Sequence, residues 1–185
     1  METTPGEAQA VLFAQHFAPL PDPRQRLPQH PLLSMLFIVL AAQLCGAEGW
    51  DAMAAFARAK QGWLSRFFAF PKGVPSADTL RWGMATVDPK AVAACFQAWV
   101  DVLAHALRGE VIAVDGQARS LDVSFREDHC RIRDLRAAEN VAMVRRMALQ
   151  LLKRQPGETV GLPIRRLRAG WDNGYLVQVL STGLT

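Results

Sequence analysis

The stretch LLSMLFIVLAAQLC, residues 32–45, is a long apolar run interrupted only by Ser34 and Gln43. Its fourteen residues are too few to cross a bilayer, because a membrane-spanning helix needs about 20 apolar residues. Proline is tolerated in the first turn of a helix and glycine is common just after the last, so Pro31 and Gly46 mark its limits. The stretch therefore predicts a helix buried in the core of a globular fold.

Helical spacing of apolar residues extends to both sides of this stretch, over residues 7–108. Ser76 and Asp88 are residue types that cap helix N-termini, and Pro89 suits the first position of the helix that follows Asp88. The same part holds four of the five tryptophans, which we expect in the core rather than as platforms for stacking bases. The pattern predicts a bundle of about five helices.

The pattern changes after residue 109. Residues 111–114 are a short β-branched apolar run that ends at Asp115, which predicts a buried strand with a carboxylate at its end. Residues 121–125 alternate apolar and polar side chains, as an edge strand does. A long helix is predicted over residues 134–154, and a last short helix over 172–180.

Positive charge is concentrated near the C-terminus. The formal charge is +4, yet residues 1–110 carry nine basic and nine acidic side chains, whereas residues 131–168 carry ten basic and three acidic ones. We expect the arginines of 165–168 to lie in a loop. The imbalance predicts a polyanion partner contacted through the C-terminal region. The arginines predicted to contact phosphates are Arg131, Arg133, Arg136, Arg145, Arg146, Arg165, Arg166 and Arg168.

Arg145 has an unusual position on the helix predicted over residues 134–154. A helical wheel at about 100° per residue places six apolar side chains on one face, with Arg145 in the middle of them. Arg136, Arg146 and Arg154 fall outside that face, which consists of Ala138, Val141, Ala142, Ala148, Leu149 and Leu152. Because a guanidinium is rarely buried without an acidic partner, either Arg145 pairs with a carboxylate inside the fold or this face meets a phosphate.

Asp115 is the acid with the most suggestive position. Many metal-dependent enzymes place a first ligand at the end of a buried strand, but two-metal phosphoryl chemistry needs several carboxylates around ions about 3.5–4 Å apart. The alternative is that Asp115 accepts hydrogen bonds from turn amides before Gly116. No phosphate-binding glycine loop of either common type occurs in the sequence, which excludes the usual nucleotide-binding folds.

Cysteine usage and the N-terminus bear on the compartment. The three cysteines, at positions 45, 95 and 130, are widely spaced and form no C-x-x-C motif, so we expect reduced thiols. The N-terminus lacks the basic region of a signal peptide. The sequence thus predicts a soluble, cytoplasmic protein without a membrane segment.

Several short motifs resemble those of the H-repeat-associated transposases, DDE-type enzymes of bacterial insertion sequences in the ISAs group. In the first part of the chain the motifs are Phe17–Arg24, His30–Leu33, Cys45-Gly46 with Trp50, Pro75–Thr79 and Val111–Gly116. Toward the end of the chain they are Leu121–Asp128, Arg131–Arg133, Ala138–Asn140 and Arg145-Arg146. Together they cover most of the chain.

The resemblance implies a ribonuclease-H-like catalytic core that binds two Mg²⁺ ions through three acids and cleaves and joins DNA at the terminal inverted repeats of the element. Asp115 matches the first acid and would be a metal ligand. The expected second and third acids are absent, because the segment after Gly116 resembles the end of the family and the His-Trp-x-Ile-Glu-Asn type motif is missing. The chain therefore resembles an internally deleted copy with no functional Mg²⁺ site.

The expected fold class is mainly α: an N-terminal helical bundle, residues 1–108, followed by the remnant of a ribonuclease-H-like α/β core, residues 109–185, with one or two short strands and a long helix. The expected function is that of a truncated, inactive transposase that still binds DNA. The alternative is a non-enzymatic helical protein that forms homo-oligomers, or hetero-oligomers with an intact transposase that it inhibits.

Overall fold

The computed structural model describes residues 13–24, 29–106, 134–155 and 159–180. Within these ranges the regular structure is helical, apart from one isolated bridge between Pro71 and Gly73. A short helical segment at 13–17 comes first. The described helices that follow are α1 Leu32–Leu44, α2 Trp50–Ala59, α3 Gln61–Leu64, α4 Ala77–Thr86, α5 Pro89–Ala106, α6 Leu135–Lys153, α7 Leu162–Trp171 and α8 Asn173–Leu180.

Helix α1 lies at the centre of the fold, as the apolar stretch predicted. Every residue of α1 except Leu33 is buried, because other helices pack on all its sides. The hydroxyl of Ser34 donates a hydrogen bond to the carbonyl of Pro31 at 2.8 Å, so this polar side chain is satisfied locally. The helix ends where Gly46 adopts a φ of +83°, a conformation that favours glycine.

The predicted helix starts of the first part are confirmed. The Ser76 hydroxyl accepts a hydrogen bond from the backbone N–H of Thr79 at 3.2 Å. The Asp88 carboxylate accepts one from Lys90 N–H at 3.1 Å, and α5 begins at Pro89. These caps satisfy N–H groups that have no partner within the first turn of a helix.

An aromatic cluster fills the space beside α1. The Phe37 ring centre lies 5.6 Å from that of Phe13, 5.4 Å from Phe67 and 5.1 Å from Phe68. Trp63 completes the cluster, 4.7 Å from Phe67 in an edge-to-face arrangement. Such contacts hold α3 and the following turn against α1.

The long helix α6 shares one hydrophobic core with the first part of the chain. It packs most extensively against α1 and α4, and also against α5. Burial of Val141, Ala148, Leu149 and Leu152 confirms the apolar face that the sequence predicted. Val144 is buried as well, so the buried surface is wider than that single face because helices pack on more than one side of α6.

The structure confirms the mainly helical class and leaves the α/β remnant as a prediction. The two predicted strands, 111–114 and 121–125, lie outside the described residues, as does the proposed domain boundary at 108/109. No helix in the described part of the chain is long and apolar enough to cross a membrane.

One local prediction was wrong: Arg165, Arg166 and Arg168 lie on helix α7, not in a loop. Gly161 precedes the helix in an extended conformation, and a proline within its first turn is compatible with helix. The sequence shows no apolar stripe with helical spacing here. The buried side of α7 consists of Ala169 and the long apolar stem of the charged Arg166. The predicted last helix is confirmed as α8.

Candidate nucleic-acid interface

One side of α6 faces solvent and is rich in basic side chains. Arg136, Arg146 and Lys153 are exposed there, with the acidic Glu139 between them. From Arg136 through Glu139 to Lys153, successive positions differ by three, seven and seven residues, which places all four on one helix face. We call the three cations the basic stripe. At about 1.5 Å per residue, it extends for about 25 Å along the helix, a length suited to several successive phosphates.

Two arginines of α7 point into the protein instead. Arg165 Nε donates to the carbonyl of Val160 at 2.8 Å, and its Nη1 donates to the carbonyl of Leu152 in the last turn of α6, also at 2.8 Å. Arg166 Nε donates to the carbonyl of Gln43 in the last turn of α1 at 3.2 Å, and Arg166 is 6% exposed. Both side chains thus satisfy carbonyls at helix C-termini, where cations are favourable.

The remaining described arginines predicted to bind DNA occupy different settings. Arg145 is only 4% exposed and interacts within the chain, so the face it shares with the apolar residues is an interior one. The guanidinium carbon of Arg168 lies 4.2 Å from the centre of the Tyr175 ring, a cation–π contact between α7 and α8. Arg168 is otherwise exposed. Their contribution to DNA binding stays a prediction.

The predicted catalytic and metal-binding residue, Asp115, lies outside the described residues, as do Arg131 and Arg133. Within the described ranges, no three His, Cys, Asp or Glu side chains gather where they could hold a metal ion. A single carboxylate does not make the two-ion site that the resemblance implies.

Three of the sequence motifs meet around Arg24. Its guanidinium forms a two-point ion pair with Asp22, with Nη2–Oδ2 at 2.6 Å and Nε–Oδ1 at 2.7 Å. The same group donates to the carbonyl of His30 at 3.1 Å. Arg24 also lines an open pocket of about 360 Å³ together with residues of α4, which follows the Pro75–Thr79 motif. We call it the motif pocket; its lining residues are Arg24, Asp78, Thr79, Arg81, Trp82 and Gly83.

The electrostatics of the motif pocket are set by paired charges. The hydrogen bonds from Arg24 lower the pKa of Asp22, outweighing the opposite effect of burial. Burial lowers the pKa of His30, and the positive charges of Arg24 and Lys72 lower it further. His30 is therefore neutral at physiological pH. Asp78 and Arg81 form an exposed ion pair at 3.1 Å.

The two described cysteines are free, and both are partly buried. Burial raises the pKa of the Cys45 thiol to about 12, although the nearby charges of Lys60 and Arg166 act in the opposite direction. Burial also raises the pKa of Cys95. Neither thiol has the low pKa of a nucleophilic cysteine.

The structure gives two side chains, Asn140 and Trp82, surroundings that the sequence analysis did not predict. The Asn140 amide is buried and donates to the carbonyls of Met84 at 2.8 Å and Val87 at 3.1 Å, at the end of α4. Its signal was its spacing, three residues after Ala137 and four before Val144, both of which are buried. Trp82 is 65% exposed, contrary to the expectation that the tryptophans of this part lie in the core. Its signal was its position about 200° around the helix from the buried Leu80.

Comparison with known proteins agrees with the transposase resemblance of the sequence motifs. A family model described as DDE_Tnp_1-associated matches residues 14–100, which include both sides of the motif pocket. An uncharacterized protein from the dhlA 3' region of Xanthobacter autotrophicus is 40% identical over 107 residues, covering 55% of this chain and 35% of that protein. No solved structure gives a significant match.

Several relatives from Escherichia coli strain K12 are named as transposases. The H repeat-associated putative transposase YhhI is 29% identical over 104 residues, covering 56% of this chain and 28% of that protein. The inactive transposase YbfQ is 31% identical over 67 residues, covering 36% of this chain and 80% of that protein. The matched part thus spans only about a third of the Xanthobacter protein and of YhhI.

These matches define the class of protein: a helical domain associated with DDE transposases. The chain belongs to the H repeat-associated transposase family of insertion sequences.

Proposed function

We propose that this chain is a truncated, cytoplasmic member of its family that binds the terminal inverted repeats of its element and does not cleave them. The observation that carries the proposal is the basic stripe of α6. Exposed arginine and lysine side chains along one helix face can neutralise successive phosphates and release their counterions. Of the three acids that the resemblance implies, only Asp115 has a match in the sequence, and two-ion chemistry needs several carboxylates.

Binding is tested by titrating duplex DNA at several salt concentrations with the wild-type chain and the Arg136→Gln/Arg146→Gln variant. Each phosphate contact contributes about 0.9 to the slope of log K against log salt. We expect the slope of the double variant to be less steep by about 2, and its affinity at low salt to be weaker. The matched control is Arg58→Gln, on an exposed face of α2. Equal slopes for all three proteins would contradict the proposal.

Loss of cleavage is tested with a nicking assay on the terminal inverted repeats in Mg²⁺ or Mn²⁺. We expect no nicking by the wild-type chain, and the same result for Asp115→Ala. Nicking by the wild type that Asp115→Ala abolishes would show that the remaining acid still supports catalysis.

A second candidate function is association with an intact transposase, and helix α7 favours it. Ile164, Leu167 and Trp171 are exposed at three- and four-residue steps, so one outer face of α7 is apolar. Exposed apolar faces of this kind are typical of interaction sites. Co-purification with a full-length relative should be lost in Leu167→Glu and kept in Arg58→Glu. Equal capture by both variants would exclude this face as the contact.

A further inference from the structure

The motif pocket brings an exposed indole ring and two guanidinium groups to one place. Trp82 is 65% exposed on α4, and the neighbouring Arg81 side chain is 51% exposed. Arg24 approaches from the segment before α1, fixed by its ion pair with Asp22. Large aromatic side chains are usually buried in cores, so an exposed tryptophan at the rim of a pocket calls for a ligand with an apolar face.

The arrangement excludes two classes of ligand. Asp22 and Asp78 balance the charges of Arg24 and Arg81, so the pocket lacks the excess positive charge that duplex DNA requires. An enclosed metabolite is also a poor fit, because the pocket is open to solvent. Its volume of about 360 Å³ is at the lower end of the range of roughly 300–1,000 Å³ for small-molecule sites. The space suits one planar ring with its attached phosphate.

We propose that the motif pocket binds single-stranded DNA, with one base stacked on Trp82 and the adjoining phosphate on Arg81. Stacking on an aromatic side chain is independent of base identity and supplies affinity without a large positive charge. The Arg81–Asp78 pair is exposed, and such surface pairs are weak. A phosphate can therefore replace the Asp78 carboxylate on Arg81 at little cost.

Arg24 has a different part in this proposal. Its guanidinium is held by Asp22 and by the His30 carbonyl, so it forms a fixed wall of the pocket. Because the Arg24 side chain is only 10% exposed and its Nε, Nη1 and Nη2 groups already donate within the chain, it shapes the pocket and leaves the phosphate contact to Arg81. The inference rests on the proposed function only for the choice of DNA as the nucleic acid. Its site is formed by residues within 14–100, whereas the basic stripe lies on α6.

The experiment measures the affinity of the full chain for a fluorescent oligothymidylate of about 20 nucleotides, a length that covers typical single-strand sites. We expect Trp82→Ala to weaken binding about tenfold, the middle of the range for loss of one stacked base. Trp82→Phe keeps an aromatic ring and should retain most of the affinity. Val102→Ala is the control, because Val102 is 41% exposed on α5 and belongs to neither the motif pocket nor the apolar face of α7; it should leave the affinity unchanged.

Two further probes distinguish base stacking from phosphate contacts, and a DNA strand from a mononucleotide. An oligonucleotide of equal length with abasic sites keeps the phosphates and removes the bases; we expect it to bind as weakly to the wild type as oligothymidylate binds to Trp82→Ala. Free thymidine monophosphate should compete poorly at the same nucleotide concentration. Equal competition would assign the pocket to a mononucleotide and overturn the strand proposal.

The same measurements distinguish this inference from the proposed function. If the Trp82→Ala and Val102→Ala proteins bind oligothymidylate equally, the pocket is not a single-strand site, whatever the result with duplex DNA. If duplex binding is absent while Trp82-dependent binding of oligothymidylate remains, the basic-stripe proposal fails and the pocket proposal stands. Because Trp82 is exposed, its replacement should leave urea unfolding unchanged, and that measurement confirms that the variants are folded.

Discussion

The polar side chains of α6 and α7 differ in direction, although the sequence presents them as one basic region. Asn140, Arg165 and Arg166 point inward and donate to carbonyls at the ends of α4, α6 and α1. Arg136 and Arg146 point outward on α6 and are exposed. The inward group supplies additional donors to carbonyls at helix ends, where partners within the helix are few, whereas the outward group is exposed to a partner.

The difference shows that charge counted along a sequence overstates the charge that a partner can reach. It also explains why α6 and α7 are integral to the fold: they supply donors that helices of the first part lack. The following changes test this division, in order of expected effect on stability.

The largest effect should follow from Asn140→Leu. The change leaves the carbonyls of Met84 and Val87, both in fully buried residues, without the Asn140 donor, and an unsatisfied buried group costs about 1–3 kcal/mol. We expect the free energy of unfolding, measured in urea, to fall by about 3 kcal/mol. The exposed neighbour provides the control, since Glu139→Gln should change it by less than about 0.5 kcal/mol. Equal effects of the two changes would refute a capping role for Asn140.

Arg166→Met should have the second largest effect. Methionine keeps the apolar stem but removes the guanidinium that donates to the carbonyl of Gln43. That carbonyl also accepts from Gly46 N–H at 3.1 Å, so the loss should be smaller, about 2 kcal/mol. Arg146→Met is the matched change at an exposed site. If Arg146→Met destabilises the protein as much as Arg166→Met does, the inward and outward arginines do not differ in their contribution to stability.

The comparison also shows how much the sequence could predict. The burial of α1, the start of α4 and the apolar face of α6 follow from local patterns: an apolar run, a cap residue, a helical period. The helical state of α7 does not, because its buried side includes an arginine whose partner is the carbonyl of Gln43, 123 residues away. No local pattern specifies a contact over that separation.

The candidate site, too, could be predicted from the sequence only in part. The basic stripe could be predicted, since Arg136 and Arg146 fell outside the apolar face of the wheel. The motif pocket could not, because it requires the segment of Arg24 to approach α4, and only tertiary packing brings them together. Spacing alone suggested that Trp82 lay in the core with the other tryptophans; exposure depends on which helix faces are covered.

Cys45, at the end of α1 beside Arg166, gives a smaller, pH-dependent effect. The thiol pKa is raised from its ordinary value of 9.0 to about 12 by burial. The unfolded chain therefore releases this proton above pH 9, while the folded chain retains it up to about pH 12, and stability is lost as the pH rises through this window. At about pH 10 we expect the wild type to have lost about 1 kcal/mol more than Cys45→Ala, relative to neutral pH. Parallel curves of unfolding free energy against pH would contradict a buried, protonated thiol.

The smallest effect on stability should come from the outward group. Arg136→Gln and Arg146→Gln remove exposed guanidinium groups, and surface changes of this kind alter the free energy of unfolding by less than about 0.5 kcal/mol. Each should nevertheless reduce the steepness of log K for duplex DNA against log salt by about 1, because each cation releases about one counterion from DNA. Arg165→Gln, whose guanidinium is bound to Leu152 and Val160, should show the reverse: lower stability and an unchanged slope. A variant that changes both quantities together would mean that one arginine serves the fold and the partner at once.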